Sequence, residues 1–317
     1  MERIGRWAER IRDNIEKVIF GKAEVIEKLL VTLLCRGHVL LEDVPGVGKT
    51  ILARALSISL GGIFHRVQCT PDLLPADVLG VSVYDQKTGD FSFREGPVMT
   101  NVLLVDEINR ATPRTQSALL EAMAEGRISV EGGARELPDP FFMIATENPV
   151  EFEGTFPLPE AQKDRFFLTL RMGYPPAAAE EEVMVSQRRL THPVTDLAPV
   201  TELAELLELQ QAVLSVKVDE ALVEHIVALV EQTRSDPRLQ LGASPRASMA
   251  LYRGAQALAA LRGRDVVLAA DIRELAPPVL LKRISIRSEN LLKNLTEEKV
   301  IAEILERTAA PAGGAAT

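Results

Sequence analysis

Short, almost wholly apolar runs alternate with longer amphipathic stretches through roughly the first 175 residues, the pattern of an α/β layer structure with a mostly parallel sheet. Five runs predict core strands: Val39 to Leu41, Phe64 to Val67, Val102 to Val105, Phe141 to Ala145 and Phe166 to Leu170. Continuous apolar runs of this kind suit strands covered on both faces. Helices are predicted around them, at Glu24 to Leu34, Thr50 to Leu60 and Pro113 to Ala124. Thr112 can cap the last of these, and Pro113 fits its first turn. Two insertions read as hairpins. One runs from Val81 to Tyr84, turns around Thr88, Gly89 and Asp90, and returns through Phe91, Ser92 and Phe93. The other pairs Ile128 to Val130 with Ala134 to Leu137 across Gly132 and Gly133, a dipeptide suited to tight turns with positive φ.

Beyond Tyr174, Pro175 and Pro176 the strand signals vanish. Amphipathic helical stretches follow at Ala179 to Leu190, Val200 to Leu214, Asp219 to Gln232, Arg246 to Leu261 and Asp271 to Leu281. In the third, Leu222, Ile226, Leu229 and Val230 recur at helical spacing. The expected organisation is an α/β core over residues 1–175, an all-helical second domain over 176–308, and a disordered Ala/Gly/Pro tail over 309–317.

Composition narrows the class. Hydrophobic residues are 46% and charged residues 26%, ordinary for a water-soluble globular protein. No apolar run reaches the roughly 20 residues that span a bilayer, and Met1, Glu2, Arg3 and Ile4 do not open a signal peptide. A cytoplasmic protein without a membrane span is expected. Cys35 and Cys69 are the only cysteines and read as a reduced, buried pair. A formal net charge of -9 and 4% aromatics weigh against bulk attraction to nucleic acid and against stacking platforms for single strands. The histidines, at 38, 65, 192 and 225, have no ligand spacing.

The strongest chemical signal is Pro45-Gly46-Val47-Gly48-Lys49-Thr50, between an apolar strand and a helix. Glycines let backbone amides turn toward phosphate oxygens, and the helix N-terminus adds partial positive charge. Lys49 can reach the terminal phosphates, and Thr50 offers a hydroxyl to magnesium. The place where such loops begin with glycine holds Asp43. Downstream, Val102 to Val105 end in Asp106 and Glu107. An acid at the end of a buried strand can hold magnesium through water, and its neighbour can polarise an attacking water. With the phosphate loop, this pair makes magnesium-dependent ATP hydrolysis the expected reaction. Thr146, Glu147 and Asn148 end a further strand; Asn148 either orients the water or, before Pro149, builds a turn.

Taken together, Leu40 to Thr50, Leu103 to Arg110 (LLVDEINR), Ile144 to Pro149 (IATENP) and Phe156 to Phe166 (FPLPEAQKDRF) resemble the MoxR family of AAA+ ATPases. The resemblance runs from about Val18 to about Ser288. It implies a P-loop AAA+ core with a parallel five-stranded sheet, two β-hairpin insertions and a C-terminal all-α lid domain. It departs from the family pattern at Glu147, where Gln is more familiar. Val18, Ile19, Phe20 and Gly21 would line the adenine pocket, and Pro45, Gly46, Val47, Gly48, Lys49, Thr50 and Ile51 would bind the nucleotide, with Lys49 and Thr50 as the phosphate and magnesium ligands. Asp106 would anchor magnesium through water beside Thr50, Glu107 would be the general base, and Asn148 the first sensor. Arg165 would be the finger reaching a neighbouring subunit, with Arg110 and Arg114 as rivals, and Arg246 the second sensor. The resemblance further implies a nucleotide-dependent homo-oligomeric ring, expected to be a hexamer. Its role would be chaperone-like maturation of a partner complex, such as one with a von Willebrand factor A domain. Two alternatives remain: a nucleic-acid-stimulated motor or loader, opposed by the acidic charge and by only Lys87, Arg94 and Arg135 on the hairpins, and a non-hydrolysing nucleotide switch, opposed by the intact Lys49, Asp106 and Glu107.

Overall fold

A computed structural model of the chain describes all residues except 45, 88, 131–132, 149–153, 187, 189, 292–293, 310 and 312–317. Strands Phe64–Gln68, Val102–Asp106, Phe142–Glu147, Val39–Glu42 and Leu168–Leu170 lie side by side in that order, every neighbouring pair parallel. Successive side chains on a strand point to opposite faces, and the apolar residues divide accordingly. Val39, Leu41, Val102, Leu104 and Ile144 join one buried cluster with helices Ala23–Leu34 and Lys49–Leu60. Leu40, Leu103, Val105, Met143 and Ala145 join the other, with helix Pro113–Glu125. The interior strands are therefore buried throughout. Phe64–Gln68, at the sheet edge, is fully buried only at Val67, with Phe64 partly covered by the first cluster, so the expectation of two fully covered faces fails there.

Local chemistry sets the element ends. The Thr112 hydroxyl accepts from Thr115 N, with Pro113 opening that helix, as expected. Leu168–Leu170 begins two residues later than predicted. The guanidinium of Arg283 takes the carbonyls of Phe166 and Phe167, so on this stretch only the Phe167 amide reaches the neighbouring chain, at His38 O.

The two hairpins form as Gly80–Asp85 with Asp90–Glu95 and as Arg127–Val130 with Gly133–Glu136, both antiparallel. Thr88 and Gly132, named above for their turns, lie outside the described residues. Arg135 stacks across from one hairpin to the other, 4.3 Å over the ring of Phe93.

Helices Leu203–Val213, Glu220–Ser235, Pro245–Leu261, Ala269–Leu280 and Glu297–Arg307 make up the lid. Leu222, Ile226, Leu229 and Val230 are buried, as their spacing predicts. Pro245–Leu261 is the central helix of this group, packed on Glu220–Ser235, Ala269–Leu280 and Ala23–Leu34. Its Gly254 permits close approach, since a Cβ there would lie 3.1 Å from Leu275 Cδ1. The lid also carries a short antiparallel ribbon, Leu239–Leu241 with Ser285–Ile286, too brief to register as a strand signal. Two long helices escape the sequence prediction, Glu297–Arg307 and Glu2–Glu16, as do the short ones Pro75–Leu79, Glu160–Lys163 and Ser288–Leu291. Glu2–Glu16 buries Ile4, Trp7, Ala8, Ile11 and Ile15, an apolar stripe at helical spacing inside a highly charged segment. Of the tail, 310 and 312–317 lie outside the described residues. Among the described residues no helix is long and apolar enough to cross a membrane.

Candidate functional site

At the carboxyl ends of the central strands a cavity of about 330 Å3 opens, with Gly46, Gly48, Lys49, Thr50 and Ile51 along one wall. Strand Val39–Glu42 delivers the chain to this wall and helix Lys49–Leu60 carries it away. Gly46 and Gly48 have φ of 87° and 92°, a left-handed conformation that side chains with a Cβ disfavour. The Lys49 ammonium donates to the carbonyls of Asp43 and Val44 at 3.1 and 3.2 Å. Val47 is half-buried beside this wall, and Pro45 lies outside the described residues. Val18 and Ile19 are buried, Phe20 half-buried and Gly21 exposed with φ 66°. Ile19 Cδ1 lies 3.7 Å from where a Cβ on Gly48 would be, so this segment abuts the loop.

The opposite wall holds Asp106, Glu107, Thr146 and Asn148. Register explains the meeting: Val102–Asp106 lies beside Phe142–Glu147, so both strands end at one level. Hydrogen bonds tie the acids into a closed circuit. Asp106 accepts from Arg66 Nε at 2.6 Å and from the Thr146 hydroxyl at 3.2 Å, and that hydroxyl accepts from Glu107 N at 2.8 Å. Glu107 Oε2 accepts from Gln68 Nε2 at 2.8 Å and from Arg110 at 3.1 Å, and Arg66 donates to Gln68 Oε1 at 2.9 Å. Glu107 stands at φ 55°, a sparsely populated conformation for a non-glycine residue and a mark of functional sites. Asn148 is buried.

The donor set suits magnesium. Among the described residues no cluster of three or more His, Cys, Asp or Glu could cage an ion, but Thr50 and Asp106 face the same cavity. Magnesium favours such sites, bound by few protein oxygens together with phosphates and water.

Arg165 and Arg246 do not line this cavity. Arg165 turns toward the helix Pro113–Glu125, and Arg246 pairs with Asp164. Arg165 follows it directly and donates to Leu120 O at 3.4 Å. Arg246 NH1 lies 3.5 Å from Asp164 Oδ2. The Ser244 hydroxyl, which caps the Pro245–Leu261 helix, donates to Asp164 at 2.8 Å, and the buried Arg283 donates to it at 3.1 Å. Of the rival arginines, Arg110 is engaged with Glu107 of its own chain, and Arg114 is exposed on the first turn of its helix.

A charged group lies just behind the loop. Glu42 is buried, bonded by Lys282 at 2.7 Å and by Arg171 at 2.5 and 2.9 Å. Burial alone would raise its pKa. The bonds and charges of Lys282 and Arg171 outweigh that and hold it below the usual carboxylate range. Glu147, opposite Glu42 in the ladder, faces away from the cavity with Oε1 3.8 Å from Lys163 Nζ.

Sequence reading missed Arg66, Gln68, Asp164, Arg171, Lys282 and Arg283. Arg66 carried a faint signal, a polar residue inside the predicted strand Phe64 to Val67; Gln68 lies one residue past that predicted end. The cysteines are both free; Cys69 is buried, with burial first and then Asp106 and Glu107 pushing its thiol up to about 12. Cys35 is only partly buried, contrary to expectation, because it ends its helix at the surface.

The chain matches the family described as ATPase family associated with various cellular activities (AAA) over residues 38–168, and the AAA lid domain over 231–304. It is 49% identical over 299 residues to the uncharacterized protein YeaC of Bacillus subtilis, covering 94% of this chain and 93% of that one. It is 40% identical over 312 residues to Chaperone MoxR1 of Mycobacterium tuberculosis, covering 96% and 82%. A crystal structure of a candidate ATPase from Cytophaga hutchinsonii superposes with a TM-score of 0.91 at 35% identity, covering 98% of this chain and 96% of the other.

Proposed function

Because the chain belongs to the MoxR family of AAA+ ATPases, we propose that it is one subunit of a nucleotide-dependent cytoplasmic ring, expected to be a hexamer, that hydrolyses ATP to remodel or mature a client protein complex. The client class we favour is one bearing a von Willebrand factor A domain. The observation that carries the reading is a division within one chain. Lys49, Thr50, Asp106, Glu107 and Asn148 share a cavity, whereas Arg246 pairs with Asp164 and Arg165 bonds Leu120 O, both outside it. The arginine that lines the cavity, Arg66, is paired with Asp106, so a finger for the terminal phosphate is left to a second subunit. The chaperone part leans on the name of the relative Chaperone MoxR1.

Each residue then has a task. The amides near Gly46 and Gly48, with the helix N-terminus behind them, receive phosphate oxygens, and Lys49 leaves its loop carbonyls to reach the terminal phosphates. Magnesium, when bound, would neutralise phosphate charge, held by Thr50 and, through water, by Asp106. Glu107 accepts the proton of the attacking water, which requires it to release Gln68 or Arg110. Asn148 orients that water. Arg165 and Arg246 of a neighbouring subunit meet the charge that develops on the phosphate, a contribution of about 10³–10⁵ in rate for a finger supplied in trans.

The test is ATP turnover per subunit as protein concentration rises, for the native chain and for Arg165→Ala. Specific activity is expected to climb with concentration, and the substitution to abolish it without weakening nucleotide binding. Flat turnover indifferent to Arg165 would make each chain self-sufficient and end the ring mechanism.

A further inference from the structure

Asp43 stands where phosphate loops usually begin with glycine. A carboxylate at that point would repel a phosphate if it faced the cavity, but the side chain is buried and is absent from the cavity lining. It turns the other way. Oδ2 accepts from the backbone amides of Met172 and Gly173, the latter at 2.9 Å, and Oδ1 accepts from Val44 N at 3.2 Å. The far side of the same segment is gripped by the buried Lys22, whose ammonium donates to the carbonyls of Met172, Gly173 and Tyr174 at 2.5, 3.1 and 2.9 Å. Lys22 directly follows Val18 to Gly21 in the chain.

Residues 172–174 lead from strand Leu168–Leu170 toward the lid, and neighbouring bonds join them to it. Arg171 bridges Glu42 to Glu298 of the lid, and Lys282 of the lid bonds Glu42. Asp43 N continues the ladder by donating to Glu147 O at 3.1 Å, and Asp43 O is one of the two carbonyls that hold Lys49. One residue thus touches the strand, the loop lysine and the passage to the lid.

We propose that Asp43 is a positioning residue for the phosphate loop: by holding the amides of Met172 and Gly173 it makes the seat of the loop, and the reach of Lys49, follow the segment that leads into the lid. This rests on the ATPase reading above. Lid rotation then changes phosphate affinity through the main chain of 172–173, and nucleotide binding tightens that segment in return, because coupling between two sites is reciprocal.

The experiment compares the full native chain with Asp43→Asn and Asp43→Gly. It measures ATP KM and kcat, together with amide hydrogen exchange across residues 170–176, with and without Mg-ADP. Losing a charge-assisted bond is expected to raise KM about tenfold with a smaller change in kcat, and to speed exchange at Met172 and Gly173 by about tenfold. Mg-ADP is expected to slow exchange of this segment in the native chain and not in the variants. Asn fills the volume of Asp, so Asp43→Asn decides the matter if Asp43→Gly does not fold. A native KM in Asp43→Asn overturns the proposal even when exchange rises, since the clasp is then only structural; unchanged exchange overturns it as well. A native chain that neither binds nor turns over ATP brings down the ATPase reading with it, an outcome distinguishable from an active native chain matched by its variant.

Discussion

Strand Val39–Glu42 joins two ends of the molecule that treat charge in opposite ways. At its carboxyl end, Glu42 and Asp43 are buried among Arg171, Lys282 and Lys22, and Asp106 and Glu107 stand a short way across the sheet in bonds to Arg66, Gln68 and Arg110. At its amino end, beneath the exposed ion pair of Arg36 and Asp139, His38 is buried and kept neutral. Its Nδ1 accepts from Met143 N at 3.0 Å, so Nε2 carries the proton and donates to Met123 O at 3.0 Å, with the rings of Phe141 and Phe142 alongside. Ionised groups buried in exchangeable partnerships can be rearranged by a ligand. A neutral ring satisfied by two backbone groups only holds the strand Phe142–Glu147 and the helix Pro113–Glu125 in place. The first end is built to change and the second to stay.

The widest separation of the two ends comes from Glu107→Gln. Turnover is expected to fall at least about 100-fold, the usual contribution of a general base, while nucleotide binding and the melting temperature stay near native. Steady-state ATPase assays with equilibrium nucleotide binding measure this. A variant that kept native turnover would leave the carboxyl end without its assigned chemistry and erase the contrast.

Legibility in the sequence follows the same division by mechanism. Lys49 and Thr50, Asp106 and Glu107, and Asn148 could be named because phosphate-loop and strand-end chemistry needs particular residues at short spacing, whatever the distant chain does. The core strands other than Phe64–Gln68 could be named because burial on both faces demands apolar runs. Arg66 and Gln68 could not. Their meeting with Asp106 and Glu107 depends on Phe64–Gln68 pairing with Val102–Asp106, a matter of strand order. Ser244 and Asp164 are 80 residues apart, and Arg171 and Glu42 are 129 apart; no local pattern announces such contacts. The helix Glu2–Glu16 is a different case: its stripe of Ile4, Trp7, Ala8, Ile11 and Ile15 stands at helical spacing in the sequence, and the dense charge around it obscured a signal that was there.

Arg283 tests an intermediate case, a charge buried like those of the carboxyl end but held as firmly as His38. It is 6% exposed and donates to Asp164 and to the carbonyls of Phe166, Phe167 and Val279. Removing one partner of a buried ion pair leaves the other uncompensated, so Arg283→Met is expected to cost about 3–5 kcal/mol in urea unfolding. Near-native stability would mean that Asp164 finds solvent or Arg246 instead, and that the junction of core and lid belongs with the changeable end.

The smallest effect falls at the amino end and is read through pH. Burial pushes the His38 pKa down from 6.5 to about 4, against the opposing pull of its bond to Met123 O. With the folded pKa below the unfolded one, the unfolded chain binds the extra proton first. The contribution is therefore fully present above pH 6.5 and lost as pH falls from 6.5 toward 4. Between pH 6.5 and 5 the loss should be about 1.5 kcal/mol. Gln at this position can accept from Met143 N and donate to Met123 O without titrating, so His38→Gln should unfold with a flatter pH dependence over that window by about this amount. Parallel slopes for the two proteins would show that His38 titrates normally. The amino end would then be as open to charge as the carboxyl end, and the contrast would rest on the nucleotide chemistry alone.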